Sequence, residues 1–141
     1  MDKQNEWFAD FEQTDAYTQL THRPIAYFCA EFALSQDLPT YAGGLGVLAA
    51  DVVKEAADKH VPFVAVGLYY HEGYLHHEMY SDGTMLKHPR RRSPEDSGFV
   101  PVVDEQQQRI VVSVPMQGRK ITIVAWEKRV GDVRMFMLAV S

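Results

Sequence analysis

Gly43, Gly44 and Gly46 cluster immediately ahead of a helical pattern that runs through Leu45-Gly46-Val47-Leu48-Ala49-Ala50-Asp51. Glycine lets the backbone approach a ligand closely. The first N–H groups of a helix have no partner inside it, so a glycine loop feeding a helix can receive an anion. The same cluster can also serve only as a tight turn that lets the helix pack closely, and both readings stay open at this level. Glu31, upstream of the loop, is a candidate for supporting it. A carboxylate facing bound phosphate would repel it, which favours a shaping role in which Glu31 accepts hydrogen bonds from loop N–H groups at Gly43 to Leu45.

Other residue types invite other chemistry. Tyr69-Tyr70-His71-Glu72-Gly73-Tyr74-Leu75-His76-His77-Glu78 gathers aromatics and histidines. A metal site in this run is disfavoured, because the histidines do not fall at helical i, i+4 spacing and no cysteine assists. Tyr69 and Tyr70, at the end of an apolar run, read either as aromatics lining a sugar cleft or as half-buried strand residues. The basic run Lys87-His88-Pro89-Arg90-Arg91-Arg92 lacks interleaved aromatics in an acidic chain, which points to a solvated loop and away from nucleic acid. Cys29, the single cysteine, reads as a buried structural thiol suited to a reducing compartment.

The elements that must hold these residues follow from periodicity. Pro24 to Cys29 and Val61 to Leu68 are short apolar runs of the kind found in buried parallel strands. Between them Leu45, Leu48, Ala49, Val52 and Ala56 mark one apolar face of a helix ending near Lys59, with Asp51 on the polar side. The unit is strand, loop, helix, strand, and its glycine loop lies beyond the strand ends, where open α/β sheets place ligands. Ahead of it, Trp7, Phe8, Phe11 and Leu20 share one face of a short N-terminal helix. Ser81-Asp82-Gly83 is a turn. From Phe99 onward hairpins are expected, with strands Ile110 to Val114, Ile121 to Trp126 and Met135 to Val140, a turn at Pro115-Met116-Gln117-Gly118, and both strand faces covered. An apolar final strand without a neighbour reads as cut from something longer.

Composition sets outer bounds. The chain has 141 residues, 46% of them apolar, and a formal net charge of −5. That is one domain's worth of a globular protein, and the charge argues against nucleic acid without arguing against a small phosphate. No apolar run approaches the ~20 residues that span a bilayer, so no membrane role is expected and the cytoplasm is the expected location.

Three stretches together carry a family resemblance: Glu31-Phe32-Ala33-Leu34, Leu38-Pro39-Thr40-Tyr41-Ala42-Gly43-Gly44-Leu45-Gly46-Val47-Leu48-Ala49-Ala50-Asp51, and Gly67-Leu68-Tyr69-Tyr70-His71-Glu72-Gly73-Tyr74. In order and spacing the chain resembles the N-terminal region of the α-glucan (glycogen, starch, maltodextrin) phosphorylases, most closely the shorter bacterial and archaeal forms. Gly118-Arg119-Lys120 to Trp126 and Val130-Gly131-Asp132-Val133 also resemble those forms. Val47 and Ala33 depart from the long forms, which carry arginine and tyrosine there.

The resemblance implies the Rossmann-like N-terminal part of a two-domain, GT-B type α/β glycosyltransferase with a β-hairpin-rich C-terminal half. Residues 1–23 would be a helical segment and residues 24–141 an incomplete N-terminal domain. It implies transfer of glucosyl units between α-1,4-glucan, inorganic phosphate and glucose 1-phosphate, with pyridoxal phosphate in the full-length enzyme. Gly43, Gly44, Leu45 and Gly46 would face the substrate phosphate and sugar, with Glu31 and Tyr70 in support. The catalytic groups and the lysine that carries the cofactor would lie on a missing C-terminal part, so the chain alone is expected to be inactive. A homodimer is compatible with exposed hairpin edges. Two alternatives remain: the N-domain of a nucleotide-sugar glucan synthase, disfavoured because Tyr41-Ala42 offers no lysine before the loop, and a non-catalytic glucan- or phosphate-binding remnant.

Overall fold

The structure, a computed structural model, describes residues 10–35, 38 and 40–141, with the backbone course alone at 73–76 and 88–90. A 3-10 turn at Phe11–Gln13 leads into helix α1 (Asp15–His22), capped by the Thr14 side chain, which accepts from the Tyr17 N–H. Of the expected N-terminal apolar face, Trp7 and Phe8 lie outside the described residues. Strand β1 (Ile25–Phe28), helix α2 (Gly44–Asp58) and strand β2 (Phe63–Leu68) reproduce the expected order of strand, loop, helix, strand, but β1 is not the buried strand expected, since only Tyr27 of its residues is even half-buried. β1 and β2 pair in parallel, Ile25 opposite Phe63 and Phe28 opposite Val66.

The remaining strands are β3 (Glu72–Met79), β4 (Met85–Arg91), β5 (Val100–Pro101), β6 (Val111–Met116), β7 (Arg119–Val130) and β8 (Val133–Val140). The main sheet is six-stranded in the order β1-β2-β8-β7-β5, and β6 also pairs with β7. β8 runs parallel to β2 and antiparallel to β7, so the sheet is mixed and the fold is mixed α/β. The β6–β7 hairpin turns on Gln117 and Gly118, both at positive φ, as a two-residue primed turn requires. β3 and β4 form a separate two-stranded sheet joined by the Ser81-Asp82-Gly83 turn, where Asp82 accepts from the Thr84 N–H and hydroxyl.

The core lies between α2 and one face of the main sheet. Ala49, Val53 and Ala56 of α2 meet Ala65 of β2, Val133, Met135, Met137 and Ala139 of β8, and Val124 and Trp126 of β7. This corrects two expectations. The buried face of α2 is Gly46, Ala49, Ala50, Val53, Ala56 and Ala57, whereas Leu45 and Leu48 are exposed. Small side chains bring the helix closer to the sheet than leucines would, so the helix turns its glycine and alanine stripe inward. Among the described residues the strands are also covered on one face only, with Ile121, Ile123 and Ala125 of β7 half-buried on the other. The residues that alternate with the core positions, among them Phe28, Val66, Leu68, Phe136, Leu138 and Val140, form an apolar face with no layer of described residues over it, and Phe28 is 73% exposed.

The basic run is a further correction. Met85–Arg91 is a strand, held by backbone pairing with β3 and by an Arg91–Glu72 ion pair, because ladder bonds with a facing strand outweigh the weak local preference of charged residues for loops.

Candidate functional site

The candidate site begins where β1 ends. The Cys29 N–H still donates to the Val66 carbonyl, after which the chain leaves the sheet at Ala30 and Glu31. Phe32 then turns back into the core, fully buried, with its ring against Gly67 of β2. A Cβ at Gly67 would lie 2.8 Å from the Phe32 ring and 2.9 Å from the Cys29 carbonyl, so only glycine admits this approach. Thr40 completes the anchor. It is buried, its hydroxyl donates to the Phe32 carbonyl at 2.6 Å, and its own carbonyl accepts from the Phe32 N–H at 2.9 Å. Neither Thr40 nor Gly67 is marked by its residue type as an anchor of the loop, although both fall within the stretches that carry the family resemblance. A glycine inside a strand pattern is a signal of close backbone approach that could have found the second.

Between these anchors Glu31 shapes the glycine loop. Its Oε2 accepts from the Ala42 N–H at 3.1 Å and the Gly43 N–H at 3.4 Å. Of the expected donors at Gly43 to Leu45 only Gly43 meets Glu31, and Ala42, one residue earlier, supplies the second N–H. Gly43 has an extended backbone and caps the helix with no side-chain hydrogen bond. Gly44 and Leu45 follow as the first helical residues, exposed, and no acceptor among the described residues meets their N–H groups. Gly46 differs from its neighbours: it is buried, its N–H donates to the Gly43 carbonyl at 3.2 Å, and its carbonyl accepts from Ala33. A Cβ there would lie 2.5 Å from the Tyr41 Cβ and 3.3 Å from the Glu31 Cβ, so Gly46 closes the loop onto Glu31.

The two tyrosines separate. Tyr69 belongs to the core, its ring against Phe99 and its hydroxyl donating to the Ser93 carbonyl at 2.8 Å beside the Ser97 hydroxyl. Burial raises its pKa above the ordinary phenol value. Tyr70 is 37% exposed, and its hydroxyl donates to the Ala30 carbonyl at 3.1 Å, tying the end of β2 to the residue next to Glu31. The structure therefore brings Gly43, Gly44, Leu45, Glu31 and Tyr70 to one end of the sheet and removes Tyr69 from it. Two free N–H groups at the positive end of a 15-residue helix can stabilise phosphate or hydroxyl oxygens without titrating.

A second feature opens at the same sheet end on the uncovered face. It is an apolar hollow of about 300 Å³ lined by Phe28, Cys29, Ala30, Val66, Gly67, Leu68 and Leu138. Cys29 is half-buried and free. No group of His, Cys, Asp and Glu among the described residues is placed to hold a metal ion, and no helix among them is long and apolar enough to cross a membrane.

No protein-family model matches the chain. It is 36% identical over 115 residues to the maltodextrin phosphorylase of Thermococcus litoralis, a match covering 82% of this chain and 14% of that protein. It is 32% identical over 133 residues to the glycogen phosphorylase of Mycobacterium tuberculosis, covering 94% of this chain and 15% of that one. The glycogen phosphorylase of Aquifex aeolicus is 30% identical over 122 residues, covering 86% and 18%. The chain thus spans between 14% and 18% of the length of these curated relatives. Identity at this level over most of the chain shows that the protein belongs to the α-glucan phosphorylase family, of whose members it matches a short stretch.

Proposed function

We propose that the chain supplies one wall of the substrate cleft of an α-1,4-glucan phosphorylase, within a Rossmann-like N-terminal domain of GT-B type. The whole enzyme would move a glucosyl unit from the end of the glucan to inorganic phosphate, releasing glucose 1-phosphate. The single observation that carries the reading is the state of the glycine loop. Glu31 occupies the Ala42 and Gly43 amides, which leaves the Gly44 and Leu45 amides pointing from the helix end with no acceptor among the described residues. Donors fixed in this way stabilise the oxygens of a phosphate or sugar without reorganising as charge develops.

Pyridoxal phosphate belongs to this reading only for the whole enzyme. Lys128 donates to the Ser97 carbonyl and lies over the Phe99 ring, while Lys54, Lys87 and Lys120 stand exposed on the surface. These residues do not make a cofactor site, and no step through the cofactor falls to them. What the chain's residues do is bind and orient. Gly44 and Leu45 donate to oxygens, Glu31 and Tyr70 hold the loop, and Gly46 packs it.

Titration of the ¹⁵N-labelled chain with inorganic phosphate and with glucose 1-phosphate tests the reading. Shifts confined to residues 43–46 are expected. Gly44→Pro removes one donor at a position where helices tolerate proline, and should abolish the Gly44 contribution while leaving the fold unchanged. Unchanged loop amides at saturating ligand would overturn the proposal. The isolated chain, lacking the family's catalytic groups, should form no glucose 1-phosphate from maltodextrin and phosphate. Turnover at an enzyme's rate would sink that part.

A further inference from the structure

Helix α2 ends in a way its sequence alone does not explain. The Lys59 N–H donates to the Glu55 carbonyl, the His60 N–H to Ala57 and the Val61 N–H to Ala56, a pattern that places His60 just past the helix in the left-handed region, at φ +51°. Glycine is the usual occupant of that position, and a histidine there is strained. Two contacts hold it. The imidazole Nδ1 meets the Asp132 carboxylate at 2.6 Å across the β7–β8 turn, and the His60 carbonyl accepts the Tyr17 hydroxyl of α1 at 2.7 Å. The turn comes this close because Gly131, at φ +54°, has no side chain. A Cβ there would lie 3.0 Å from that of Ala57. No residue of helix α1 is fully buried, Tyr17 and Leu20 being half-buried, and the Tyr17 hydroxyl ties the helix to the end of α2.

We infer that His60, Asp132 and Tyr17 form a proton-controlled clasp, which holds α1 on the C-terminal end of α2 while the imidazole is charged and releases it when the imidazole is neutral. The backbone of His60 sets the direction of its carbonyl, and the Asp132 contact holds that backbone in its strained state. The charged imidazole donates to Asp132 as half of an ion pair. The neutral ring donates there only as the Nδ1–H tautomer, and without the charge, so the backbone is then free to relax and withdraw the carbonyl from Tyr17.

The charged groups facing His60 come from three elements: Asp132 from the β7–β8 turn, Glu12 from the 3-10 turn ahead of α1, and Asp58 from α2. All favour the charged form, with the Asp132 hydrogen bond the largest cause, and together they raise the His60 pKa above 6.5. Glu12 belongs to the segment being held, so docking and protonation reinforce each other. Because the folded-state pKa is raised, the imidazole's contribution to the clasp is present below 6.5, while Asp132 is ionised, and is lost as pH rises through the higher folded value. The pair is exposed, so its release acts on α1 and leaves the sheet intact.

Nuclear magnetic resonance of the full chain tests this by following the His60 ring and the backbone order of residues 15–22 across pH. The expected result is a His60 midpoint above 6.5, with α1 losing order at that same midpoint. Asp132→Asn should lower both midpoints together. His60→Asn, which tolerates left-handed backbone, should make α1 order independent of pH in this range. Tyr17→Phe should loosen α1 at every pH while His60 remains paired with Asp132. Constant α1 order through the His60 titration, or an α1 midpoint unmoved in Asp132→Asn or persisting in His60→Asn, would overturn the clasp.

Discussion

The two faces of the main sheet are built from the same strands and the same kinds of residue, yet only one of them carries a layer of described residues. On one, Met135, Met137 and Val133 are fully buried under the glycine and alanine stripe of α2. On the other, Phe136, Leu138 and Val140 alternate with them along β8, and exposure rises to 61% at Val140. Burial here is a property of what packs above a side chain. Hydrophobic type places a residue on a strand, and only a covering layer turns that residue into stabilisation.

The sharpest way to break that contrast is to shorten neighbouring side chains of β8. Met137→Ala should cost about 2–5 kcal/mol, since a buried cavity adds to the lost transfer energy. Leu138→Ala, one residue on, should cost less than half as much, because water already reaches it. Denaturant unfolding of both variants checks this, and equal losses would mean that the second face is covered in solution. A covering copy of the chain would then show as concentration-dependent sedimentation relieved by Leu138→Lys.

A second comparison sets two glycines of the site against each other. Gly67→Ala drives a methyl into the Phe32 ring and the Cys29 carbonyl, an overpacking that should cost about 1–3 kcal/mol. Gly44→Ala meets open space and should stay within about 0.5 kcal/mol of the parent. Thermal unfolding separates them. A Gly44→Ala loss as large as that of Gly67→Ala would mean that the loop is packed against something, and the free amides of the proposed site would be lost with it.

The strand, loop, helix, strand unit was legible because Ile25 to Phe28 and Phe63 to Leu68 are short apolar runs on either side of a helical period, and local pattern decides such elements. The Glu31 contact was legible because a carboxylate near a loop rich in free amides has few better partners. The phase of α2 was not legible from hydrophobicity. Leu45 and Leu48 weigh more than Gly46 and Ala50 on any transfer scale, but distance of approach, a tertiary quantity, chose the smaller stripe. β4 escaped for a similar reason, since nothing within Lys87 to Arg92 announces β3, with which it pairs. The difference between the two faces was hidden because alternation in β7 and β8 reports two apolar faces and says nothing of what lies over each.

The smallest expected effect lies at the edge of the uncovered face, where Arg134 donates through Nε and a terminal nitrogen to both oxygens of Glu127 and stacks over Phe136. The Arg134 hydrogen bonds hold the Glu127 carboxyl below its ordinary value of 4.5, opposed by partial burial. A depressed carboxylate contributes stability that is present above 4.5 and lost as pH falls through the lower folded-state value. With the Arg134 side chain 49% exposed, solvent screening keeps that contribution below about 1 kcal/mol. Arg134→Met keeps the contact with Phe136 and removes the pair. Its deficit against the parent should be constant near neutral pH and shrink as the pH falls below 4.5. The deficit should also shrink in about 1 M salt, where the screening length is about 3 Å. A deficit that ignores acid would show that the methionine loses packing and not charge. One that follows acid but resists salt would place the pair under cover and close the difference between the two faces.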